Sequence, residues 1–255
     1  MSSLPGEVLP IVGAAQAAAV ASSRMAEVLR SAISLRGTAS IALSGGNTPR
    51  GAYARLARES GIEWAKVNVL WVDERSVPPT DDRSNYRWAK ATLLDAAPIG
   101  ASRAVRMEAE RTDASQAAAD YEKALCARVP PDEQGVPAFD VMVLGVGDDG
   151  HTASLFPGEP TVDVQDRWVV AVPAHAGLEP RLTLTVPVIQ HARQVLVLAV
   201  GASKREALRR VAEDRGDVHA TPARIIRACL GKVFWIVDAE AVGGLTPTNG
   251  SRPLP

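Results

Sequence analysis

Short apolar runs recur along the chain and alternate with longer stretches in which apolar residues return every three or four positions. The short runs are rich in Val, Ile and Leu, as buried strands are, whereas the longer period is typical of amphipathic helices. We therefore predict strands over residues 39–43, 67–72, 139–144, 168–172, 182–185, 195–200 and 233–237. We predict helices over residues 14–35, 49–59, 85–94 and 112–128, and a further helix that begins at Lys204.

This alternation predicts an α/β fold of the doubly wound type, a mostly parallel, Rossmann-like sheet with helices on both faces. We expect one domain over residues 1–242 and a mobile tail over residues 243–255, which carry Gly, Thr, Asn and Pro and few apolar residues. Open α/β sheets bind their ligands at the carboxyl ends of the strands. The residues that directly follow each predicted strand are therefore the candidates for function.

The composition excludes several classes of partner. The formal net charge is −1 over 255 residues, so the overall field attracts neither nucleic acid nor an anionic membrane. No apolar run is long enough for a membrane-spanning helix. We expect a cytoplasmic protein that binds a small molecule, with a monomer as the default. Cys126 and Cys229 lack metal-binding spacing, and we predict two buried thiols.

The predicted strand 139–144 ends in Gly-Val-Gly-Asp-Asp-Gly-His at residues 145–151. Histidine accepts and returns a proton near neutral pH, and Asp149 is close enough in sequence to orient the ring of His151 and to stabilise its cation. A histidine in a glycine-rich loop at a strand end, beside two carboxylates, is typical of a proton-transfer site. We therefore predict that His151 is the base and that Asp149 orients it.

The same residues match Gly-x-Gly-x-x-Gly, the fingerprint of a dinucleotide site, and Asp163 and Asp166 stand near the position of a ribose-binding acid. That fingerprint must open a full crossover helix, whereas Pro157 followed by Gly158 would end any helix after about two turns. A dinucleotide cofactor is disfavoured for this reason. The other histidines lack such surroundings, show no metal-ligand spacing and are interpreted as structural: His175, His191 and His219.

A second loop at a strand end has the composition of a phosphate-binding site. It consists of Ser44, Gly45, Gly46, Asn47 and Thr48 and leads into the predicted helix that starts at Pro49. The unpaired N–H groups and the dipole of a helix start attract an anion, and glycines let a phosphate approach the backbone. The alternative is a tight turn in which Thr48 caps the helix.

Three cations have positions that favour phosphate binding. Arg75 follows the strand 67–72, Lys204 follows the strand 195–200, and Arg181 precedes the strand 182–185, so all three are expected at one edge of one parallel sheet. Taken alone, the Asp-Glu-Arg at residues 73–75 is better interpreted as a solvated surface ion pair. The remaining candidates lack a strand-end position and are interpreted as surface charge: Arg50, Arg83 and Arg87.

Taken together, these segments resemble the 6-phosphogluconolactonase family. The resemblance rests on residues 44–49, 73–78, 84–85 and 145–157 and on Lys204, in family order. It implies hydrolysis of 6-phospho-D-glucono-1,5-lactone to 6-phosphogluconate, the second step of the oxidative pentose phosphate pathway, without a cofactor or a metal. It also implies a sheet related to that of the glucosamine-6-phosphate deaminases.

The resemblance also implies roles for particular residues. The family's catalytic histidine falls on His151 and its aspartate partner on Asp149, and no role falls on Asp148. Its phosphate-binding groups fall on Ser44, Gly45, Gly46, Asn47, Thr48, Arg75 and Lys204, and we add Arg181 to this set. Residues 154–157 stand where the deaminases carry an Asn-Glu pair, which disfavours isomerase chemistry. A deaminase-like isomerase and a non-catalytic sugar-phosphate-binding protein remain the alternatives.

Overall fold

The computed structural model describes residues 3–243, which form two sheets surrounded by helices. The strands are β1 (Glu7–Ile11), β2 (Ala39–Leu43), β3 (Val67–Trp71), β4 (Asp73–Arg75), β5 (Val141–Gly145), β6 (Val169–Val172), β7 (Arg181–Leu184), β8 (Gln194–Ala199) and β9 (Lys232–Asp238). The helices are α1 (Gly13–Arg36), α2 (Asn47–Leu56), α3 (Asn85–Ala89), α4 (Ala114–Cys126), α5 (Val186–Gln190), α6 (Arg205–Ala212) and α7 (Ala239–Val242).

Six strands form a parallel sheet in the order β1-β9-β8-β5-β2-β3. Every residue of β2 and β3 is buried, which requires cover on both faces, as parallel sheets have. The predicted doubly wound, mostly parallel α/β sheet is therefore confirmed. The chain passes from β2 to β3 in one direction and from β5 to β8 in the other, so the strand order reverses between β2 and β5.

A second, antiparallel sheet of three strands has the order β4-β7-β6. Arg75 lies opposite Arg181 in it. The prediction that these two arginines lie at strand ends of the parallel sheet is therefore wrong. They are neighbours for another reason, since adjacent antiparallel strands bring opposite residues together.

The first strand was not predicted, because Glu7 and Pro10 interrupt its apolar pattern. β1 is an edge strand of the parallel sheet, and a proline is tolerated at an edge because its missing N–H breaks no ladder there. The predicted cap of the third helix is confirmed, since Ser84 accepts a hydrogen bond of 3.1 Å from the N–H of Arg87. That helix reaches the predicted end only through a π turn over Lys90–Leu94.

One hydrophobic core includes apolar residues of both sheets, from Leu4 to Ala241. The predicted single domain over residues 1–242 stays a prediction, and residues 244–255 of the predicted tail lie outside the described part of the chain. No helix among residues 3–243 combines the length and the apolar character needed to cross a bilayer.

The prediction of two buried thiols is wrong for Cys126, which is the last residue of α4 and is exposed. Cys229 is half-buried, and its burial raises the pKa of the thiol to about 12. Both cysteines are unpaired.

The hydroxyl of Tyr53 fixes the chain where β2 ends. Within α2, this buried hydroxyl accepts from the N–H of Ser44 and donates to the carbonyl of the same residue, each at 3.0 Å. The change Tyr53→Phe leaves both buried backbone groups without a partner. We expect it to lower the free energy of unfolding by about 1–3 kcal/mol in urea denaturation.

The matched control is Tyr86→Phe, because no hydrogen bond of the Tyr86 hydroxyl is found within residues 3–243. Equal losses of stability in the two variants would contradict the role of Tyr53.

Candidate active site

The loop that follows β5 carries a histidine and a carboxylate in direct contact. Oδ1 of Asp149 lies 2.7 Å from Nδ1 of His151 and accepts the backbone N–H of the same residue at 3.0 Å. The hydrogen bond from His151 lowers the pKa of Asp149 to about 2. Because Nδ1–H of His151 donates its hydrogen bond to the Asp149 carboxylate, the other ring nitrogen, Nε2, is left as a proton acceptor. The ring is 31% exposed, so it lies at the surface of the sheet edge.

Gly147 makes room for this pair. Its N–H donates to the carbonyl of His151 at 2.8 Å, which turns the loop back on itself. A Cβ atom at position 147 would lie 2.1 Å from Nδ1 of His151 and 2.5 Å from Oδ1 of Asp149. The glycine pattern therefore accommodates the His-Asp pair. Residues 146–159 contain no helix, which removes the structural basis of a dinucleotide site.

The loop over residues 44–48 lies beside the His151 loop, because β2 and β5 are neighbours in the sheet. The hydroxyl of Ser44 donates to the carbonyl of Val143 at 2.6 Å, and the backbone N–H of Ser44 donates to the hydroxyl of Tyr53. Both donors of Ser44 are therefore engaged within the protein. Gly46, Asn47 and Thr48 are the residues of this loop at the start of α2, where backbone N–H groups have no acceptor within the helix.

Glycine is required at both middle positions of this loop. A Cβ atom on Gly45 would lie 1.9 Å from Oδ1 of Asn85, and Gly46 has a φ of +107°. The alternative of a Thr48 cap is wrong, because Gly46 is the N-cap and no side chain caps α2. An uncapped helix start at this edge is free to attract an anion.

Arg75 and Arg181 bring two positive charges together. Arg181 is only 6% exposed, and burial lowers its pKa below the usual value. Nη1 of Arg75 donates to the carbonyl of Arg83 at 2.6 Å. The Nε atoms of both arginines are buried, with no hydrogen-bond partner among residues 3–243.

Arg50 extends this cluster, and its interpretation as surface charge is wrong. Its guanidinium lies 3.7 Å above the ring centre of Trp88, and its Nε atom is buried with no partner among residues 3–243. Burial lowers the pKa of Arg50, and the positive charges of Arg75 and Arg87 lower it further. Arg50 stands three residues after Asn47 in α2, a spacing that puts both on one helix face and that could have revealed it.

Two other arginines remain surface charges, as predicted. Arg83 is 57% exposed and is paired with Asp81 at 2.9 Å and Glu179 at 2.7 Å. Arg87 is 40% exposed and is paired with Asp82.

Lys204 is held by a carboxylate for which the sequence predicted no role. Its Nζ atom donates to Oδ1 of Asp148 at 2.6 Å, and the Ser203 hydroxyl donates to the same oxygen at 3.1 Å. The ammonium group lowers the pKa of Asp148. Lys204 therefore lies against the loop that carries His151.

Two buried carboxylates support the arginines. Asp73 accepts the Ser154 hydroxyl at 2.7 Å and lies 3.7 Å from Nη1 of Arg181. Glu74 accepts the N–H groups of Arg75, Asn85 and Tyr86, each at 2.8 Å. Burial raises the pKa of Glu74. The interpretation of residues 73–75 as a solvated surface ion pair is therefore wrong, because Asp73 and Glu74 are only 5% and 3% exposed.

Four of these groups follow the carboxyl ends of adjacent strands of the parallel sheet. Lys204 follows β8, His151 follows β5, Ser44 follows β2 and Asp73 follows β3, and these strands are consecutive in the sheet. The site thus lies where the strand order reverses, which is the usual position of ligands in such sheets.

The family model of glucosamine-6-phosphate isomerases/6-phosphogluconolactonase matches residues 13–235. The chain belongs to this family. A 6-phosphogluconolactonase of Synechocystis is 41% identical over 216 residues, which are 85% of this chain and 88% of that protein. A 6-phosphogluconolactonase of Streptomyces coelicolor is 36% identical over 239 residues, covering 89% of this chain and 90% of the other. The 6-phosphogluconolactonase structure from Trypanosoma brucei superposes with a TM-score of 0.85 at 29% identity, covering 95% and 100% of the two chains.

The resemblance to this family that the motifs indicated is thus confirmed. Residues 154–157, which depart from the deaminase pattern, are buried or half-buried in this family member. Ser154 hydrogen-bonds Asp73, and the Phe156 ring lies 5.0 Å from the His151 ring. Among residues 3–243, no group of three or more His, Cys, Asp or Glu side chains could hold a metal ion.

The contact between His151 and Asp149 can be tested through the carboxylate. Because the hydrogen bond from His151 is the main cause of the low Asp149 pKa, we expect His151→Ala to raise that pKa from about 2 toward the ordinary value of about 3.9. A carboxyl-carbon NMR titration measures it. The control is His219→Ala, which changes an exposed histidine paired with Asp163 and leaves the Asp149 pKa unchanged. An Asp149 pKa that stays low without His151 would contradict the assignment.

Proposed function

We propose that this protein is a 6-phosphogluconolactonase, which hydrolyses 6-phospho-D-glucono-1,5-lactone to 6-phosphogluconate in the oxidative pentose phosphate pathway. Hydrolysis of a lactone is supported by the family and by the name that the relatives share. One observation supports this substrate and His151 as the base: cations lie against the His-Asp pair, since Lys204 contacts Asp148 of the same loop and Arg181 lies over the Phe156 ring that contacts His151. The cytoplasmic location and the monomeric state stay predictions.

The phosphate group is proposed to bind between the start of α2 and the arginines. A phosphate dianion accepts several charge-assisted hydrogen bonds, and a guanidinium can donate two in parallel. Arg50, Arg75 and Arg181 supply buried Nε donors that have no partner among residues 3–243. The N–H groups of Gly46, Asn47 and Thr48 would add the positive end of the helix dipole.

Lys204 is proposed to reach the phosphate from the other side. Its ammonium group is already in contact with Asp148, so a bound dianion would compete with a carboxylate or share the cation with it. Since this ion pair is partly exposed, the exchange costs little.

His151 is proposed to act as general base and then as general acid. Nε2 removes a proton from a water molecule as the water oxygen bonds to the lactone carbonyl carbon. The tetrahedral intermediate then collapses, the bond between that carbon and the ring oxygen breaks, and the imidazolium returns the proton to the ring oxygen. Asp149 keeps the Nδ1 proton in place and stabilises the imidazolium between the two steps.

The direct test is to supply fresh lactone and to follow acid release above the spontaneous background. We expect acceleration with no added metal or nucleotide, because the proposed base, His151, is a side chain of this chain and hydrolysis involves no redox step. Ammonia release from glucosamine 6-phosphate would instead identify a deaminase. Binding of 6-phosphogluconate without turnover would identify a sugar-phosphate-binding protein.

The base role predicts that His151→Ala lowers kcat by about 10²–10⁴-fold, the usual contribution of general acid–base catalysis. Binding of 6-phosphogluconate should stay nearly unchanged, because the phosphate contacts are intact. His219→Ala serves as the control with normal kcat, because that histidine is exposed and paired with Asp163. Loss of binding together with kcat would refute the separation of roles.

The phosphate role predicts that Arg75→Ala raises KM about tenfold or more, because one charge-assisted contact to the ground state and the transition state is lost. The change in kcat should be small. Arg75→Lys keeps the charge but not the planar fork and should be intermediate. The control is Arg103→Ala, which removes an arginine that contacts Asn68 near the amino end of β3. An Arg75→Ala variant that changes kcat alone would contradict phosphate binding.

A further inference from the structure

The ring of Phe156 contacts two imidazoles. Phe156 is only 1% exposed and follows His151 by five residues. The His151 ring lies 5.0 Å from it at an interplanar angle of 48°, and the His175 ring lies 5.0 Å from it and is stacked at 15°. The two imidazole centres are therefore at most about 10 Å apart, a distance that one phosphorylated sugar can span.

His175 has the same kind of partner as His151. Its Nδ1 atom lies 2.7 Å from Oε1 of Glu159, and the two side chains are 24% and 25% exposed. Nδ1–H of His175 donates to the carboxylate of Glu159, so the remaining ring nitrogen, Nε2, is an acceptor. No hydrogen-bond partner of this Nε2 is found within residues 3–243. His175 is thus an oriented, partly exposed imidazole with an unused polar atom.

The backbone at both histidines is in an unusual conformation. Ala153, two residues after His151, and Ala176, directly after His175, have φ values of 52° and 49°. They are the only residues other than glycine with a positive φ among residues 3–243. Such conformations cost free energy in residues with a Cβ atom, and they concentrate at functional sites.

The loop between β6 and β7 that carries His175 is tied to the site. The N–H of Leu178 donates to the carbonyl of His175 at 2.8 Å, which closes a tight turn. Glu179 accepts from Arg83 at 2.7 Å, and Arg181 at the start of β7 lies over the Phe156 ring with its Cζ atom 5.3 Å from the ring centre. One aromatic ring therefore contacts the proposed base, the second imidazole and a proposed phosphate-binding arginine.

We infer that His175 is a specificity-determining residue of this site, an inference that rests on the proposed function. Its Nε2 atom hydrogen-bonds a hydroxyl group of the sugar, while Glu159 keeps the ring in the required tautomer. The hydroxyl can donate to this nitrogen, whereas a deoxy analogue leaves it unpaired. His175 takes no part in bond making or breaking and thus selects polyhydroxylated phosphosugars over other phosphate esters.

The test compares two ligands and one well-matched variant. His175→Phe keeps an aromatic ring stacked on Phe156 and removes the polar atoms. Calorimetric titration should show 6-phosphogluconate binding about tenfold more weakly to this variant than to the unchanged protein, the effect of one lost hydrogen bond. Binding of inorganic phosphate, followed by phosphorus NMR, should be unchanged. With the lactone, KM should rise by a similar factor and kcat should hold.

A second variant keeps the inference testable if the first one does not fold. Glu159→Gln removes the charge that holds Nδ1 and keeps the size of the side chain, and it should weaken 6-phosphogluconate but not phosphate. His219→Phe, an exposed histidine also paired with a carboxylate, is the control and should bind both ligands normally.

Equal affinities of the unchanged protein and His175→Phe for 6-phosphogluconate would overturn the inference, as would an equal weakening of both ligands. The failure of the proposed function has a different signature. If the unchanged protein binds 6-phosphogluconate through His175 but does not accelerate lactone hydrolysis, the proposed function fails and the hydroxyl contact stands.

Discussion

The reversal of strand order between β2 and β5 is the constraint on which the rest of the site depends. The chain leaves β2 toward one side of the sheet and leaves β5 toward the other, so the two loops diverge and a crevice opens between them. Hydrogen bonds fix both walls. On one side, Ser44 is hydrogen-bonded to Val143 of β5 and to Tyr53 of α2. On the other side, the Thr152 hydroxyl donates to the carbonyl of Gly145 at 2.9 Å. The crevice is therefore set by the strand order and by these hydrogen bonds, and the charged side chains and the imidazole are added to it.

The small antiparallel sheet adds charge to this crevice. It places Arg75 opposite Arg181, and this would be unfavourable without the buried carboxylate of Asp73 beside Arg181. Removal of an arginine from water is costly, and one nearby carboxylate offsets only part of that cost. The buried Nε donors of Arg50, Arg75 and Arg181 have no hydrogen-bond partner within residues 3–243. A bound dianion would supply the missing acceptors and the missing negative charge.

The sequence predicted those parts of the fold that depend on local pattern. Residues 195–200 are an unbroken apolar run, and residues 39–43 are apolar except for Ser40, so the position and type of both strands could be predicted within one residue. β4 could not, because it consists of Asp73, Glu74 and Arg75 and is a strand only through its pairing with β7. The loops that carry the proposed catalytic and phosphate-binding residues could also be identified, because each combines glycines with polar or titratable side chains directly after a predicted strand. The helical spacing from Asn47 places Arg50 on the same face as the loop, but its contacts with the Trp88 ring and with the charge of Arg75 are tertiary and could not be predicted.

The position of the proposed base depends on packing as much as on its carboxylate. Asp149 is half-exposed, and a hydrogen bond at the protein surface alone holds an imidazole only loosely. Phe156 and Leu155 are fully buried, and Ser154 is bonded to the buried Asp73, so the chain directly after His151 is fixed to the core. The Phe156 ring then limits the rotation of the imidazole from one side, while Gly147 leaves room for it on the other. The packed Phe156 ring and the missing side chain at Gly147 together favour one orientation of the His151 imidazole. Proton transfer to a bound substrate requires such a fixed orientation.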